Sequence, residues 1–289
     1  MIHMKYCDGT GHQGYKKDPI SYKDTKLYFR GLNSTLAKLN SIDKNFKVFS
    51  VATDIIITGQ SAGGLATFVW SEHIASRAPK GAYVWSVPDS GIFLDELNFN
   101  TKTFTYRQLF QNFMSISNEE VDPPNTECVI SNPSAKWKCM FAQYNHNFIN
   151  IPLFPIQSLY DSWSLPNILG IGCGNGGSLA NCNQSQLEYI NEYRLNTTFY
   201  LKEITHSSDK NGCWAPACSD HVYSVGTAFY SQSFRIPAGS SFSLSYCLDT
   251  WMWATSGSTK KCDVENCQWM DSEPWPNNKP CSGVKELQR

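Results

Sequence analysis

Asp54-Ile55-Ile56-Ile57-Thr58 runs directly into Gly59-Gln60-Ser61-Ala62-Gly63-Gly64, and then into Leu65 to Ala75. The first five residues form a short β-branched run, which favours a strand. The next six form a tight Gly-rich turn. Leu65, Phe68, Val69 and Ala75 then supply the apolar positions of a helix. Strand, turn and helix make half of a βαβ unit, and Ala82-Tyr-Val-Trp-Ser-Val87 provides the second strand. The predicted fold class is α/β.

The turn itself reads Gly-x-Ser-x-Gly. A sharp strand-to-helix turn forces its central residue into a strained backbone, and the flanking glycines make room for it. The hydroxyl then stands above the sheet, where the following helix N-terminus favours developing negative charge. Ser61 is therefore the expected nucleophile, and the Ala62 N–H one donor of an oxyanion hole.

A serine nucleophile needs a base, and the base needs an orienting acid. In this class of turn the chain order is Ser, then Asp or Glu, then His. His73 sits in the helix just after the nucleophile, and His146 precedes the best acid. His206 and His221 remain open. Asp89, Asp95 and Asp161 are the acids to weigh. Asp161 ends the predicted strand Pro152–Tyr160, late in the sheet, and is favoured; Asp89 and Asp95 follow the strand beside the nucleophile and read as structural.

Further out, Phe29, Leu32, Leu36 and Leu39 predict a helix over Asp24–Leu39, and Lys5–Cys7 a strand end. Residues 101–150 lose the α/β rhythm, with a helix at Phe104–Met114 and a break at Asp122-Pro-Pro, and are expected to form an inserted helical lid. Gln184–Tyr193 is expected to be helical. Residues 225–289 are rich in Ser, Cys and Trp and show no strong period. One domain over 1–289 accommodates all of this.

Composition narrows the function. Lys+Arg is 24 against Asp+Glu 25, so the net charge of -1 argues against nucleic acid as a partner. No apolar run reaches the length of a membrane span. With charged residues at 17% and aromatics at 13%, the chain has the make-up of a packed domain rather than a disordered one. A monomer is expected. Three sequons, at Asn33, Asn183 and Asn196, are no more than chance would supply, which is about four.

Eleven cysteines are present, and all but Cys7 lie beyond residue 120. The even set of ten predicts disulfides and an oxidising, secreted location, with Cys213 or Cys218 locking the segment that carries His221. Cys7 is then expected to be unpaired. Cys213, Cys218 and His221 also have spacing compatible with zinc, but no matching fourth ligand pair is evident. Gly172-x-Gly174-x-x-Gly177 matches a dinucleotide fingerprint only by its letters and reads as a loop. No metal and no cofactor are expected.

Several segments together resemble the pectin acetylesterases and the related Notum carboxylesterases. Tyr6-Cys-Asp-Gly9 is similar to a strand-end motif of that family, and Phe29-Arg-Gly31 to the opening of its next helix. Gly59-Gln-Ser-Ala-Gly-Gly-Leu-Ala66 resembles its nucleophile turn, where Gln60 stands in a position often held by Cys. Pro88-Asp-Ser-Gly-Ile-Phe-Leu-Asp95, Pro152-Leu-Phe with Tyr160-Asp-Ser-Trp163, and Cys218-Ser-Asp-His221 follow in the family's order. The resemblance implies an α/β-hydrolase fold and serine esterase chemistry. It also implies a triad of Ser61, Asp161 and His221, deciding for His221 over His206.

The family's upstream Gly-Gly-Gly-Trp-Cys stretch, which completes the oxyanion hole, has no counterpart here. Gly-Gly occurs only at 63–64 and 176–177. With it are missing a signal peptide and a partner for Cys7, so the expectation is a chain lacking its N-terminal strands, with an exposed sheet edge, poor solubility and weak activity. The expected function is removal of acetyl groups from a polysaccharide such as pectin. The alternatives are a Notum-like carboxylesterase acting on a longer acyl group, and a non-catalytic secreted carbohydrate-binding protein using its C-terminal Trp residues.

Overall fold

The computed structural model describes residues 1–174, 178–225, 229–230, 234–237, 240–271 and 273–275. A short hairpin, β1 (Ile20–Tyr22) with β2 (Thr25–Leu27), precedes helix α1 (Gly31–Phe46) and one helical turn, α2 (Val48–Val51). Strand β3 (Asp54–Gln60), helix α3 (Ala62–Ala75) and strand β4 (Tyr83–Asp89) follow, as the periodicity predicts. β3 and β4 pair in parallel, with Ile56 opposite Trp85 and Gln60 opposite Asp89.

Residues 152–157 lie beside β4, but not as the uninterrupted strand predicted for Pro152–Tyr160. Pro152 and Pro155 each lack a ladder donor. Bridges therefore form singly, at Ser86–Leu153, Asp89–Ile156 and Ile156–Trp214. The remaining bonds hold the segment on both sides. Phe154 N–H donates to Ser86 O at 2.8 Å, and Trp214 N–H to Pro155 O at 3.1 Å. Strand β5 (Cys213–Ala215) comes next and pairs in parallel with β6 (Gln268–Met270). The layer thus runs β3, β4, 152–157, β5, β6.

From β4 to β6 both faces of this layer are covered, as a parallel sheet requires. Leu153 and Cys213 belong to the core on the α3 face, with Phe68 and Val69. Phe154, Trp214 and Trp269 alternate to the opposite core. There Trp251 of helix α9 (Leu244–Thr255) packs against Phe154 in a tilted pair with a centroid distance of 4.9 Å. The outer edge of β3 has no partner strand among the described residues, and Ile56 is 48% exposed there.

Residues 101–150 are helical: α4 (Thr105–Ser117), α5 (Thr126–Ser131) and α6 (Ala142–Asn145), with 3₁₀ turns at Lys136–Met140 and His146–Phe148. A Cys128–Cys139 disulfide staples the segment internally. Asp95, just after β4, anchors it to the sheet. Arg107 of α4 reaches that carboxylate with Nη2 at 2.8 Å and Nε at 2.9–3.0 Å, and Tyr144 Oη donates to it at 2.9 Å.

Three other expectations need correcting. Lys5–Cys7 is loop rather than strand. The helix predicted over Asp24–Leu39 starts later, at Gly31, because Asp24–Leu27 close the β1–β2 hairpin through Lys23 at φ 50°. The helix predicted to end at Tyr193 continues as α8 (Gln184–His206) after a capping box between Asn183 and Gln186. A short turn, α7 (Ser164–Asn167), precedes it.

The Asp95 anchor is testable. The Asp95 side chain is 0% exposed and that of Arg107 is 31% exposed. Arg107→Ala leaves a buried carboxylate without its cation and should cost about 3 kcal/mol in urea unfolding. Tyr144→Phe removes one hydrogen bond and should cost about 1–2 kcal/mol. An Arg107→Ala chain with wild-type stability would show that this ion pair does not hold the helical segment.

Candidate active site

Ser61 joins β3 to α3 with φ 54° and ψ −118°, a region a non-glycine residue occupies at a cost of about 1–3 kcal/mol. The crossing is tight. A Cβ on Gly59 would lie 2.4 Å from the Gly63 carbonyl oxygen, and one on Gly64 would lie 2.4 Å from the Asp89 carbonyl oxygen. The Ser61 N–H donates to that same Asp89 carbonyl at 2.9 Å. Ala62 opens α3, so its N–H is one that the helix leaves without an internal acceptor.

Asp161 follows the 152–157 segment and is fully buried. Its Oδ1 accepts the backbone N–H groups of Trp163 and Ser164 at 3.1 and 2.8 Å. Its Oδ2 accepts the His221 ring Nδ1 at 2.7 Å and Gln157 Nε2 at 3.4 Å. The carboxylate is thus fixed on both oxygens. The two segments are also joined through their backbones: Leu159 N–H donates to Pro216 O at 3.0 Å and Ser162 N–H to Asp220 O at 3.1 Å. Ser158 Oγ adds a bond to the Cys218 carbonyl.

The far ring nitrogen of His221, Nε2, is buried and has no hydrogen-bond partner among the described residues, Ser61 Oγ included. Resting catalytic contacts are often long and tighten only around substrate. The link between this segment and the Ser61 turn lies one residue before the serine. Gln60 donates from Nε2 to Ser224 Oγ at 2.9 Å. Trp163 stacks over the imidazole with centroids 6.3 Å apart.

Burial pulls the His221 pKa down, but the Asp161 hydrogen bond and the charges of Asp161, Asp89 and Asp220 outweigh it. The net effect raises it above the ordinary imidazole value. For Asp220, burial pushes the carboxyl pKa up, partly offset by the hydrogen bond from the His221 N–H.

The other sequence candidates lie elsewhere. His73 packs edge-on against Trp70 within α3. His146 is buried and bonds to the Ala142 carbonyl through Nδ1. His206 ends α8 and meets Gln268. Asp95 belongs to the Arg107 anchor. Asp89 instead receives the residues following His221, a role the sequence reading missed; Gln157 and Trp163 were missed as well.

The cysteines follow the expectation only in part. Cys173–Cys182 and Cys262–Cys267 are bonded, and so is Cys218, which locks the His221 segment and removes one thiolate from the zinc reading. Cys213 and Cys247 do not join the network; both are free and buried, and burial pushes both thiols up. Cys7 is free and exposed. Cys281 and residues 175–177 of the fingerprint-like loop lie outside the described residues. Of the Trp residues of the C-terminal part, Trp251 and Trp269 are buried in the core, Trp275 is half-buried and Trp253 is exposed. No helix among the described residues is long and apolar enough to cross a membrane.

A family model described as pectinacetylesterase matches residues 1–282. The chain is 27% identical over 241 residues to pectin acetylesterase 11 of Arabidopsis thaliana, covering 80% of this chain and 59% of that protein. Against the palmitoleoyl-protein carboxylesterase Notum of Schmidtea mediterranea it is 22% identical over 230 residues, covering 76% and 40%. It spans 52% of another relative, pectin acetylesterase 5 of Arabidopsis thaliana. A crystal structure of the Wnt deacylase Notum from Drosophila matches with a TM-score of 0.73 at 19% identity, covering 96% of this chain and 72% of that one. The fold is therefore of the α/β-hydrolase type.

Thiol accessibility checks the cysteine assignment. Native, non-reducing alkylation should modify Cys7 and leave Cys213 and Cys247 unmodified. Unfolding without reductant should then expose those two, while Cys128, Cys139, Cys173 and Cys182 stay unmodified. Native labelling of Cys213 would contradict its burial.

Proposed function

As the chain belongs to the pectinacetylesterase family, we propose that it is a secreted serine carboxylesterase that removes acetyl groups from a polysaccharide. Ser61 is the nucleophile, His221 the general base and Asp161 the orienting acid. The observation that carries this reading is the 2.7 Å Asp161–His221 bond, on a segment tied through Ser224 to the residue before Ser61.

In this reading Ser61 Oγ attacks the ester carbonyl carbon, and His221 Nε2 takes its proton. Asp161 accepts the Nδ1–H and stabilises the imidazolium that forms. The negative charge on the tetrahedral intermediate faces the Ala62 N–H at the start of α3. Collapse expels the sugar oxygen, which receives the proton from His221. Water, activated by the same imidazole, then cleaves the acyl-enzyme and releases acetate. The disulfides support an oxidising location outside the cytosol.

The likeness to Notum supports a second reading, hydrolysis of a longer acyl group from a protein. The plant relatives are more similar, at 26–27% identity against 22%, which favours acetyl. The two readings separate when acetylated pectin and a palmitoleoylated peptide are offered side by side.

Acetate release from acetylated pectin should fall to background in Ser61→Ala and His221→Ala, and about 10⁴-fold in Asp161→Asn. Because the His221 pKa is raised and the neutral ring is the active form, kcat/KM should rise with pH through a pKa above about 6.5. Preferential cleavage of the palmitoleoylated peptide would favour the Notum-like reading. Inactivity toward every ester would leave the carbohydrate-binding alternative.

A further inference from the structure

Resting on the triad reading above, we infer that Asp89 is a positioning residue for the esterase reaction, its buried carboxylate fastening the His221 segment to the strand end that carries Ser61. Asp89 is the last residue of β4 and lies opposite Gln60 in the sheet register. It is fully buried. Oδ2 accepts three hydrogen bonds, from Tyr223 N–H at 2.8 Å, Ser224 N–H at 2.7 Å and Ser224 Oγ at 2.7 Å. Oδ1 accepts Ser90 Oγ at 3.1 Å. These donors are all neutral, so burial of this carboxylate rests on hydrogen bonds from the chain it holds.

The same residue serves the nucleophile, since its carbonyl accepts the Ser61 N–H. Both hydroxyls at the carboxylate are used twice. Ser224 Oγ donates to Asp89 and accepts from Gln60 Nε2. Ser90 Oγ donates to Asp89 and accepts the Val222 N–H at 2.9 Å. One side chain thereby fixes Val222, Tyr223 and Ser224 against the two residues that define the turn, Gln60 and Ser61.

A clamp is needed there because Val222, adjacent to the base, has φ 68°. A β-branched residue in the left-handed region is strained by about 1–3 kcal/mol and keeps that conformation only where its surroundings impose it. Ser90 holds its amide, and Asp89 holds the next two. Without the carboxylate Val222 is free to relax to negative φ, which rotates the chain at His221 and moves Nε2 relative to Ser61. A displacement of about 1 Å is enough to lower a rate 10²-fold.

Charge adds an independent readout. Asp161, Asp220 and Asp89 are the carboxylates acting on His221, each favouring the protonated ring against the opposing effect of burial. Neutralising Asp89 lowers the His221 pKa, so the ascending limb of the pH–rate profile moves to lower pH. That shift reports the Asp89 charge at His221, and the loss of kcat reports the positioning.

The test uses the full chain and p-nitrophenyl acetate, with Asp89→Asn, Ser224→Ala and Ser61→Ala measured beside wild type. Asp89→Asn should lower kcat about 10²-fold with KM within about twofold, and shift the ascending limb to lower pH. Ser224→Ala retains the carboxylate and its two backbone donors; it should lower kcat about tenfold when assayed well below its unfolding midpoint. An inactive Ser61→Ala together with kcat values for Asp89→Asn and Ser224→Ala within about twofold of wild type overturns the inference alone, whatever happens to stability. A Ser61→Ala chain that still cleaves the ester with wild-type kinetics overturns the triad reading, and the inference with it.

Discussion

The turn at Ser61 is the constraint around which the site is arranged. It places a non-glycine residue at φ 54° between a strand and a helix whose backbones nearly touch at Gly59 and Gly63. Such a conformation persists only where neighbouring structure imposes it. The neighbour is the end of β4. Its Asp89 carbonyl takes the Ser61 N–H, while Gly64 and Gly91 let α3 approach closely enough for that bond to form. Strain at Ser61 and glycine at the crossing are two sides of one requirement.

The sheet order then decides which distant residues can meet. Residues 152–157 lie beside β4, and β5 lies beside them, so the loops that leave these two segments emerge next to each other. One carries Asp161 and the other His221, 60 residues apart in sequence and joined at 2.7 Å. Their backbone bonds, at Leu159–Pro216 and Ser162–Asp220, make them one unit. The Cys218 disulfide and the Asp89 carboxylate fasten that unit on either side of His221. The loop-borne His221 is thereby held by covalent, backbone and side-chain restraints together.

Much of this was legible in the sequence where the signal is local. The β-branched run, the Gly-rich turn and the apolar helix face mark β3, the Ser61 turn and α3 within about twenty residues. Nothing local marks Asp161 or His221: chain order and strand-end placement favoured Asp161, only the family resemblance pointed to His221 over His206, and the structure joins the two at 2.7 Å. What escaped depends on partners far along the chain. Pro152 and Pro155 interrupt a segment that the sheet nevertheless holds on both sides. β5 and β6 are three residues each, too short for a period to show. Cysteine parity could not reveal that Cys213 and Cys247 are buried as free thiols. The role of Asp89 depends on Ser224, 135 residues away, so the reading from its neighbours alone could go no further than a structural role.

The central claim is that Ser61 is a serine activated by His221, and covalent labelling tests it most directly. The chain would be treated with a fluorophosphonate, digested, and the adduct located by mass spectrometry. The account predicts one adduct, on the peptide containing Ser61, lost in Ser61→Ala and strongly slowed in His221→Ala. An adduct on another residue, or labelling of Ser61 at an unchanged rate when His221 is removed, would contradict it.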